Sequence, residues 1–439
     1  MLRTIDLRGR ALTTSELSAA LPRARAARDD AQAAAAEIVR DVAARGEDAL
    51  REQAARFDGV HGHALRVPDA HLDEAVAGLD AAVRGALEEA IRRVRAASAA
   101  QVPAAAVTAL DDGGTVEQRW MPVRRAGLYV PGGKAVYPSS VVMNVVPAQV
   151  AGVGRIAVAS PPQAAFDGRV HPDVLAAAKL LGVDEVYAIG GAGAIAAFAY
   201  GVPSIGLEPV DVVTGPGNNF VAAAKRAVAG LVGIDAEAGA TEILIVADAT
   251  VEAGVVAADL ISQAEHDEQA AAVLVTADAS FADAVRAQVE QRVAATRNAD
   301  RARQALVGEQ SAIVLVDDVD AAIAVSNAYG PEHLEILVEP PRTEEFTEAG
   351  AVFVGPYSPV SLGDYLAGSN HVLPTGGMAR YASGLSASTF LRPQQVITYD
   401  RGALQRVAAR IVALADAEAL PAHGEAVTAR FDAAGPDSA

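Results

Sequence analysis

The sequence predicts an α/β fold with two Rossmann-like modules built on parallel sheets, one of them discontinuous, plus small N-terminal and C-terminal helical appendages. From Arg155 onwards, short β-branched runs alternate with segments of helix length. Runs that are apolar on both faces are typical of strands in a parallel sheet covered by helices. Their number exceeds what one modest sheet holds, so we expect two modules. The runs are Arg155–Ser160, Glu185–Ile189, Val210–Thr214, Glu242–Ala247, Ala272–Thr276, Ala312–Val316, Leu334–Val338 and Ala351–Val354.

The N-terminal part predicts helices, because apolar residues between positions 31 and 100 recur at helical spacing, as at Leu72, Val76, Leu79 and Val83. Glycine-rich stretches at 127–133 and 233–239 mark the boundaries between the modules. We therefore expect an N-terminal appendage (1–26), a discontinuous module (27–129 with 241–382), an inserted module (130–240) and a C-terminal helical tail (383–439).

Composition narrows the functional classes. The 439 residues include 36 Lys+Arg and 55 Asp+Glu, a formal net charge of −19, so the overall field repels polyanions and argues against nucleic acid as the main partner. The chain has no cysteine, which excludes disulfides, thiolate metal sites and a cysteine nucleophile.

One uncharged segment, 135–154, has about the length of a membrane span. Its prolines and polar residues instead favour a buried segment of a soluble protein. The N-terminus shows no apolar run long enough for a signal peptide. We expect a cytoplasmic protein with no membrane partner.

The first candidate site is the segment 191–196, which follows the run Glu185–Ile189 and matches G-x-G-x-x-A. Glycines there let a pyrophosphate approach a helix N-terminus. Glu208 and Asp211 follow at distances that suit such a fingerprint. In a chain rich in alanine and glycine, the same pattern also describes a strand-to-helix turn that only needs small residues.

Asn218 is the second candidate, since Gly215-Pro-Gly-Asn218 lies between a predicted strand and a predicted helix. Its side chain can cap the helix, hydrogen-bond a ligand, or do both.

Gln263 and His266 form the third candidate, near the end of a helix that begins around Val251. Residues three apart share a helix face, so both side chains can reach one point. An amide oxygen and an imidazole, completed by a carboxylate, suit a borderline ion such as zinc. By itself, His266 also fits a surface or capping histidine.

Glu332 and His333 form the fourth candidate, in a loop that enters the run Leu334–Val338. Such a neighbouring pair serves general acid–base chemistry if burial separates its pKa values, and is otherwise a solvated turn. Asp364 and the pair Glu418 and His423 are uninformative by themselves. The remaining histidines show no usable pairing; they are His61, His63, His71, His171 and His371.

Taken together, the motifs resemble the signature segments of the histidinol dehydrogenase family. They occur in the order of that family, and the resemblance covers essentially the whole chain. The segments are VPGGKAVYPSSVVMNVVPAQVAGV (130–153), GPGNNFVAAAKR (215–226), ADLISQAEHD (258–267), NAYGPEHLEI (327–336) and GDYLAGSNHVLPTGG (363–377).

The resemblance implies an enzyme of histidine biosynthesis that depends on NAD and on one Zn²⁺ per subunit. It would oxidise L-histidinol through L-histidinal to L-histidine and reduce two NAD. The acid/base pair of the family falls on Glu332 and His333. Its metal ligands fall on Gln263, His266, Asp364 and His423.

The resemblance also implies a homodimer with shared active sites, in which Glu418 and His423 reach the partner's site. The implied substrate contacts are Thr241, Gln263, His266, His333, Asp364, Glu418 and His423.

The implied NAD contacts fall on Tyr129, Asn218 and Gly193. At position 193 the family more usually has glutamine, so the apparent glycine fingerprint partly reflects a departure from the family pattern. With glycine there, one side-chain contact to NAD is missing, and water or backbone must replace it.

The absence of cysteine agrees with the implied chemistry. An enzyme without a thiol must hydrate the aldehyde before the second oxidation, because hydride leaves readily only from a tetrahedral carbon. The resemblance gives Glu332 the task of activating that water, with His333 accepting protons. Two alternatives stay open: a related metal-dependent dehydrogenase of another chelating alcohol, and a non-catalytic two-module binding protein that closes around a solute.

Overall fold

The computed structural model describes residues 2–23, 28–132, 136–236 and 239–432. The chain divides into two compact units. The larger unit comprises Met1–Val102 and Val123–Phe390, and the smaller unit comprises Pro103–Pro122 and Leu391–Ala439. The predicted boundary between residues 26 and 27 lies outside the described residues, as do parts of both glycine-rich stretches.

Strands and helices alternate along most of the described chain. The strands are β1 (Arg3–Asp6), β2 (Ala106–Ala109), β3 (Thr115–Pro122), β4 (Arg125–Tyr129), β5 (Arg155–Ser160), β6 (Glu185–Ala188), β7 (Val212–Thr214), β8 (Gly233–Ile234), β9 (Glu242–Ala247), β10 (Ala271–Thr276), β11 (Ala312–Leu315), β12 (His333–Leu337), β13 (Ala351–Val354) and β14 (Leu391–Thr398). The helices are α1 (Thr14–Ala20), α2 (Arg28–Arg45), α3 (Glu47–Gln53), α4 (Asp69–Ala77), α5 (Ala81–Ala99), α6 (Pro138–Ala151), α7 (Pro172–Leu180), α8 (Gly191–Tyr200), α9 (Asn219–Val228), α10 (Ala253–Ala264), α11 (Ala279–Val293), α12 (Ala299–Val307), α13 (Val319–Tyr329), α14 (Val360–Tyr365), α15 (Arg401–Ala417) and α16 (Pro421–Asp432). Short π or 3₁₀ turns occupy Ala54–Asp58, Ala164–Phe166, Pro203–Ile205, Thr343–Glu345, Met378–Arg380 and Ala387–Phe390.

A six-stranded parallel sheet forms one half of the larger unit, in the order β1-β11-β10-β9-β12-β13. Its central strands are buried, and successive side chains enter two separate apolar layers. One layer contains residues of α10, α11 and α12, and the other contains residues of α1 and α13. Helices therefore cover both faces, as the apolar runs predicted.

A five-stranded parallel sheet forms the other half, in the order β6-β5-β4-β7-β8. Its core includes Ile195 and Phe198 of α8 together with residues of α2 and α9. Gly127 in β4 leaves space for the Phe198 ring, because a Cβ at position 127 would lie 2.5 Å from Phe198 Cγ. Two parallel sheets covered by helices confirm the predicted α/β class.

The uncharged segment that resembles a membrane span forms α6, whose residues from Ser139 to Ala148 are all buried. Gly152 ends the helix in the left-handed conformation that favours glycine. Among the described helices, none combines the length and the apolar character needed to cross a membrane.

The smaller unit contains an antiparallel sheet, in the order β14-β3-β2, followed in the chain by α15 and α16. We expected residues 383–439 to be helical, whereas β14 is an eight-residue strand. Most residues of β14 are exposed, so the strand lacks the apolar run that identifies buried strands. The sequence pattern therefore missed this sheet.

Two boundaries also differ from the expected domain organisation. Residues 1–26 contain β1, which pairs with β11 as an edge strand of the six-stranded sheet instead of forming a separate appendage. β4 precedes the predicted start of the inserted module at Val130, yet it pairs with β5 and β7 at the centre of the five-stranded sheet. β1 lies far in sequence from β11, so local pattern does not assign it, and β4 overlaps the glycine-rich stretch 127–133 that predicted a module boundary.

Candidate active site

A cavity of about 1390 Å³ opens in the larger unit. It extends from the carboxyl end of β4 and the N-terminus of α8 to the start of β12. Predicted site residues in its wall are Tyr129, Asn218, Thr241, His266, Glu332, His333 and Asp364. The structure thus brings together side chains from both halves of the larger unit.

The turn between α13 and β12 places Glu332 and His333. Gly330 ends α13 in the left-handed conformation at φ 57°, and β12 begins at His333. The backbone of β12 pairs with β9, in the register His333 opposite Ile243. Both side chains of the pair are buried, which overturns the alternative of a solvated turn.

Glu332 is held by two donors. Thr241 Oγ1 donates to Glu332 Oε2 at 2.6 Å, and the backbone N–H of Glu242 donates to the same oxygen at 2.8 Å. Burial nevertheless raises the pKa of Glu332 to about 8, and the negative charge of Asp364 adds to the rise. A carboxyl group with this pKa exchanges protons near neutral pH.

His333 is fixed in one orientation by Glu242. Its Nδ1 donates to the backbone carbonyl of Glu242 at 3.1 Å and lies 3.5 Å from Glu332 Oε2. With Nδ1 protonated, Nε2 carries the lone pair, and it has no hydrogen-bond partner among the described residues. Burial lowers the pKa of His333, so the imidazole is neutral and can accept a proton.

Glu242 is a buried residue of the site that the sequence did not single out. Its backbone contacts both members of the pair, and its carboxylate accepts from Gly376 N at 2.9 Å. Burial raises the pKa of Glu242 to about 7, while Arg23 opposes the rise. The sequence did contain a signal for Glu242, because it is a glutamate at the first position of β9, a strand that is otherwise apolar.

Gln263 lies in the last turn of α10 and is buried. Its Nε2 donates to Thr241 Oγ1 at 2.7 Å, which continues the chain of hydrogen bonds to Glu332. The Oε1 of Gln263 is buried and meets no donor in the described part of the chain. A buried amide oxygen without a donor suits a cation.

His266 follows the end of α10. Its Nδ1 donates to the carbonyls of Ser262 and Gln263, at 3.1 and 3.2 Å, and this leaves Nε2 as the nitrogen with a lone pair. The ring lies in the cavity wall, so a capping role alone does not account for its position.

Asp364 lies in α14, at the cavity wall. His371, for which the sequence suggested no partner, lies beside it, with Nδ1 3.0 Å from the Asp364 carbonyl oxygen. The other ring nitrogen lies 3.0 Å from Ser140 Oγ. Burial lowers the pKa of His371. Seven positions along the chain separate the two residues, which concealed this pairing from local pattern analysis.

Glu418 and His423 belong to the smaller unit. Glu418 follows the end of α15, and His423 lies in the first turn of α16. Both side chains are exposed. The structure of the single chain therefore does not place them in the cavity wall.

Three of the four predicted metal ligands, Gln263, His266 and Asp364, lie in the larger unit. The described residues contain no group of three or more His, Cys, Asp or Glu placed to hold a metal ion. Only His266 and Asp364 of the predicted set are of these types in the larger unit, since Gln263 is an amide and His423 lies in the smaller unit. Gln263 Oε1 meets no donor in the described part of the chain, and an amide oxygen, an imidazole nitrogen and a carboxylate oxygen are donor types that zinc accepts.

The other end of the cavity lies at the N-terminus of α8. Tyr129 ends β4, and its hydroxyl accepts the backbone N–H of Gly191 at 3.1 Å, at the N-terminus of α8. Burial raises the pKa of Tyr129 to about 12, so the hydroxyl is neutral. Gly193 lies buried in the first turn of α8.

Asn218 caps α9, because its Oδ1 accepts the backbone N–H groups of Phe220 and Val221 at 3.0 and 3.2 Å. The capping interpretation is correct, and the cavity wall also contains Asn218. The acidic residues that follow the glycine pattern have other partners. Asp211 accepts from Arg124, and Glu208 pairs with Arg155.

Asp58 also lies in this part of the wall. Burial raises its pKa to about 6. Its place beside the N-terminus of α8 depends on packing between distant segments, so the sequence offered no signal for it.

The comparisons with known proteins agree with one another. The sequence model named histidinol dehydrogenase matches residues 21–431. Histidinol dehydrogenase of Leifsonia xyli subsp. xyli is 62% identical over 98% of this chain and 99% of its own, and that of Mycobacterium tuberculosis is 57% identical over 98% of each. The crystal structure of histidinol dehydrogenase from Elizabethkingia anophelis superposes with a TM-score of 0.91, at 32% identity over 98% of both chains.

Proposed function

The chain belongs to the histidinol dehydrogenase family of NAD-dependent oxidoreductases, and from this premise we propose the course of its reaction. The enzyme carries out the four-electron oxidation of L-histidinol, through L-histidinal, to L-histidine with two NAD and one Zn²⁺ per subunit. The observation that supports this proposal most directly is the buried Glu332–His333 pair in a cavity wall, with His333 Nε2 unpartnered among the described side chains. We place the enzyme in the cytoplasm.

Gln263, His266 and Asp364 would hold the zinc ion, together with His423 of the partner subunit. Zinc held there would orient the substrate, and bound NAD would supply the hydride acceptor for each oxidation. Thr241 would contact the substrate from its position between Gln263 and Glu332. These assignments keep the metal and proton-transfer roles in the module formed by 27–129 and 241–382.

His333 acts as the base for the first oxidation. Its neutral Nε2 takes the proton of the substrate hydroxyl, and the hydrogen bond from Nδ1 to Glu242 O keeps the ring aimed. The same nitrogen accepts a proton again in the second oxidation. A buried imidazole with a lowered pKa suits this role because it is unprotonated before each step.

Glu332 activates the water that hydrates the aldehyde. Its pKa of about 8 lets the carboxyl group exchange a proton near neutral pH. The donors Thr241 and Glu242 hold one of its oxygens, Oε2, which leaves Oε1 for the water. Since the chain has no cysteine, this hydration replaces a thiohemiacetal.

The exposed Glu418 and His423 complete the site of a partner subunit in a homodimer. Glu418 would accept the N–H of the substrate imidazole and so select histidinol over alcohols that lack this ring. NAD would bind at the end of the cavity beside the five-stranded sheet, where Tyr129, Gly193 and Asn218 lie.

The NADH formed per L-histidinol consumed tests the proposal, measured on purified enzyme before and after chelation and zinc add-back. We expect two NADH per substrate, lost with the chelator and restored by zinc. One NADH with release of the aldehyde would contradict the role of Glu332. Turnover of simple diols with comparable efficiency would instead support a related dehydrogenase of another chelating alcohol.

Mixed dimers test the shared site. Subunits with Glu332→Gln are combined with subunits carrying His423→Asn, each expected to lack histidinal oxidation as a homodimer, and histidinal oxidation is the activity measured. A mixed dimer contains one site with both native residues, so we expect partial recovery of activity. No recovery in a dimer shown to be mixed would contradict exchange of the C-terminal tail.

A further inference from the structure

The wall of the cavity beside α8 contains Gln53, a residue whose side-chain amide is not fully hydrogen-bonded. Gln53 is the last residue of α3, and its Nε2 is buried without a hydrogen-bond partner in the described ranges. An unsatisfied buried amide is unfavourable, because it has lost its hydrogen bonds to water without replacing them. Most buried polar groups have partners, so an orphaned one indicates a missing partner.

The Oε1 of the same side chain lies over Gly193. A Cβ at position 193 would clash with Gln53 Oε1 and would lie 3.2 Å from Leu50 Cδ2. Gly193 has an ordinary helical backbone in α8, so no left-handed conformation requires glycine there. Glycine within a helix is less favourable than alanine. The glycine therefore serves to make room for the Gln53 amide.

The surroundings of Gln53 indicate what its Nε2 meets. The same stretch of cavity wall contains Tyr129, Gly190 and Gly191, at the N-terminus of α8. Backbone N–H groups at a helix N-terminus favour anionic, oxygen-rich ligands. NAD presents ribose and pyrophosphate oxygens as acceptors, and an amide N–H is a donor.

We propose that Gln53, from α3, supplies the side-chain amide contact to NAD that glycine at position 193 cannot make. Its Nε2 donates to an acceptor oxygen of the dinucleotide, and Gly193 is required because the amide occupies the space above it. The inference rests on the proposed use of NAD. It replaces the expectation that water or backbone takes over the contact.

NADH binding tests the inference without turnover, by the fluorescence change of NADH titrated with zinc-loaded enzyme in the absence of histidinol. Gln53→Met keeps the side-chain volume and removes the donor, so we expect NADH to bind about 3- to 10-fold more weakly. Gly193→Ala adds one methyl group that displaces the amide, and we expect a similar loss. Gln394→Met, on the exposed strand β14, is the matched control and should bind NADH normally.

A swap of the two positions provides the decisive variant. Gln53→Ala with Gly193→Gln moves the amide from α3 to α8 and removes the clash, so NADH affinity should return to within about twofold of the parent. Gly193→Gln alone should bind weakly, because two amides then compete for one space. Histidinol affinity, measured by calorimetry, should remain unchanged in Gln53→Met.

The outcomes separate this inference from the proposed function. Normal NADH affinity in Gln53→Met, or a swap variant as weak as Gly193→Gln alone, would overturn the role of Gln53 and leave the dehydrogenase assignment intact. A parent enzyme that binds no NADH would overturn both.

Discussion

The carboxyl groups packed against the two parallel sheets differ in whether a Lys or Arg side chain pairs with them. Around the five-stranded sheet, Asp235 is paired with Lys225, and Glu185 with Arg125. Around the six-stranded sheet, Glu332 and Glu335 have no Lys or Arg partner among the described ion pairs. Glu242 of the six-stranded sheet does face a cation, Arg23. The contrast therefore holds between the paired Asp235 and Glu185 on one side and the unpaired Glu332 and Glu335 on the other.

Lys225 shows what pairing achieves. Its Nζ donates to Asp235 Oδ1 and to the Gly215 carbonyl, both at 2.5 Å, while Asp235 accepts the N–H of Gly215 at 2.8 Å. The pair thereby fixes the glycine turn that precedes α9. The pair is structural, because its hydrogen bonds hold a loop.

Glu335 and Glu332 show the opposite case. Burial raises the pKa of Glu335 to about 9, and the charge of Asp259 adds to the rise. Burial likewise raises the pKa of Glu332 to about 8. A carboxyl group with a pKa this high changes its protonation state at neutral to alkaline pH, unlike one that a cation keeps ionised. Burial without a cation therefore accounts for the raised pKa of both groups.

The largest expected effect comes from Glu332→Gln. Removing the group that activates water should lower the rate of histidinal oxidation by about 10²–10⁴-fold, with a much smaller effect on the first oxidation. NADH formation from histidinal and from histidinol, measured separately, checks this. Glu335→Gln is the matched control on the same strand and should keep activity. Equal losses in both half-reactions would contradict the assigned role.

Lys225→Met should have the next largest effect, and this effect is on the free energy of unfolding and not on the reaction. It leaves Asp235 buried without its cation, which costs about 3–5 kcal/mol. Urea unfolding followed by circular dichroism measures the loss. Arg155→Met removes an exposed pair with Glu208 and should leave the midpoint nearly unchanged. A similar midpoint for both variants would show that the pair is not structural.

The raised pKa of Glu335 should make the stability of the protein depend on pH. Its pKa in the folded chain lies above the ordinary value of 4.5, so its contribution is fully present below pH 4.5 and is lost as pH rises towards 9. Glu335→Gln should lack this loss and therefore gain stability relative to the parent as pH rises. Melting temperatures of metal-free protein, measured at acid, neutral and alkaline pH, check this, and parallel curves would contradict the raised pKa.

The smallest effect is expected at the other end of the cavity. Asn218→Ala removes the cap of α9 and should lower the free energy of unfolding by about 1 kcal/mol. Asn218→Asp keeps an acceptor for the same N–H groups, so stability should be retained. Weaker NADH binding in the stable Asp variant would demonstrate a ligand contact, whereas unchanged binding would leave Asn218 with the cap alone.

Local pattern was sufficient where neighbours in sequence act together. Apolar runs separated by helices predicted both parallel sheets, and the adjacent residues Glu332 and His333 identified the pair that the structure buries. The same patterns missed β14, because an exposed strand shows no apolar run. They also missed β4 as a member of the five-stranded sheet, because strand pairing is non-local.

The sequence by itself determined the α/β class, the absence of thiol chemistry and the family to which the chain belongs. Only the tertiary structure decided which distant groups meet: Glu242 with His333, His371 with Asp364 and Gln53 with Gly193. The physical reason is that periodicity and adjacency act within a few residues along the chain. Burial, hydrogen-bond satisfaction and pKa shifts depend instead on the full set of neighbours that packing assembles.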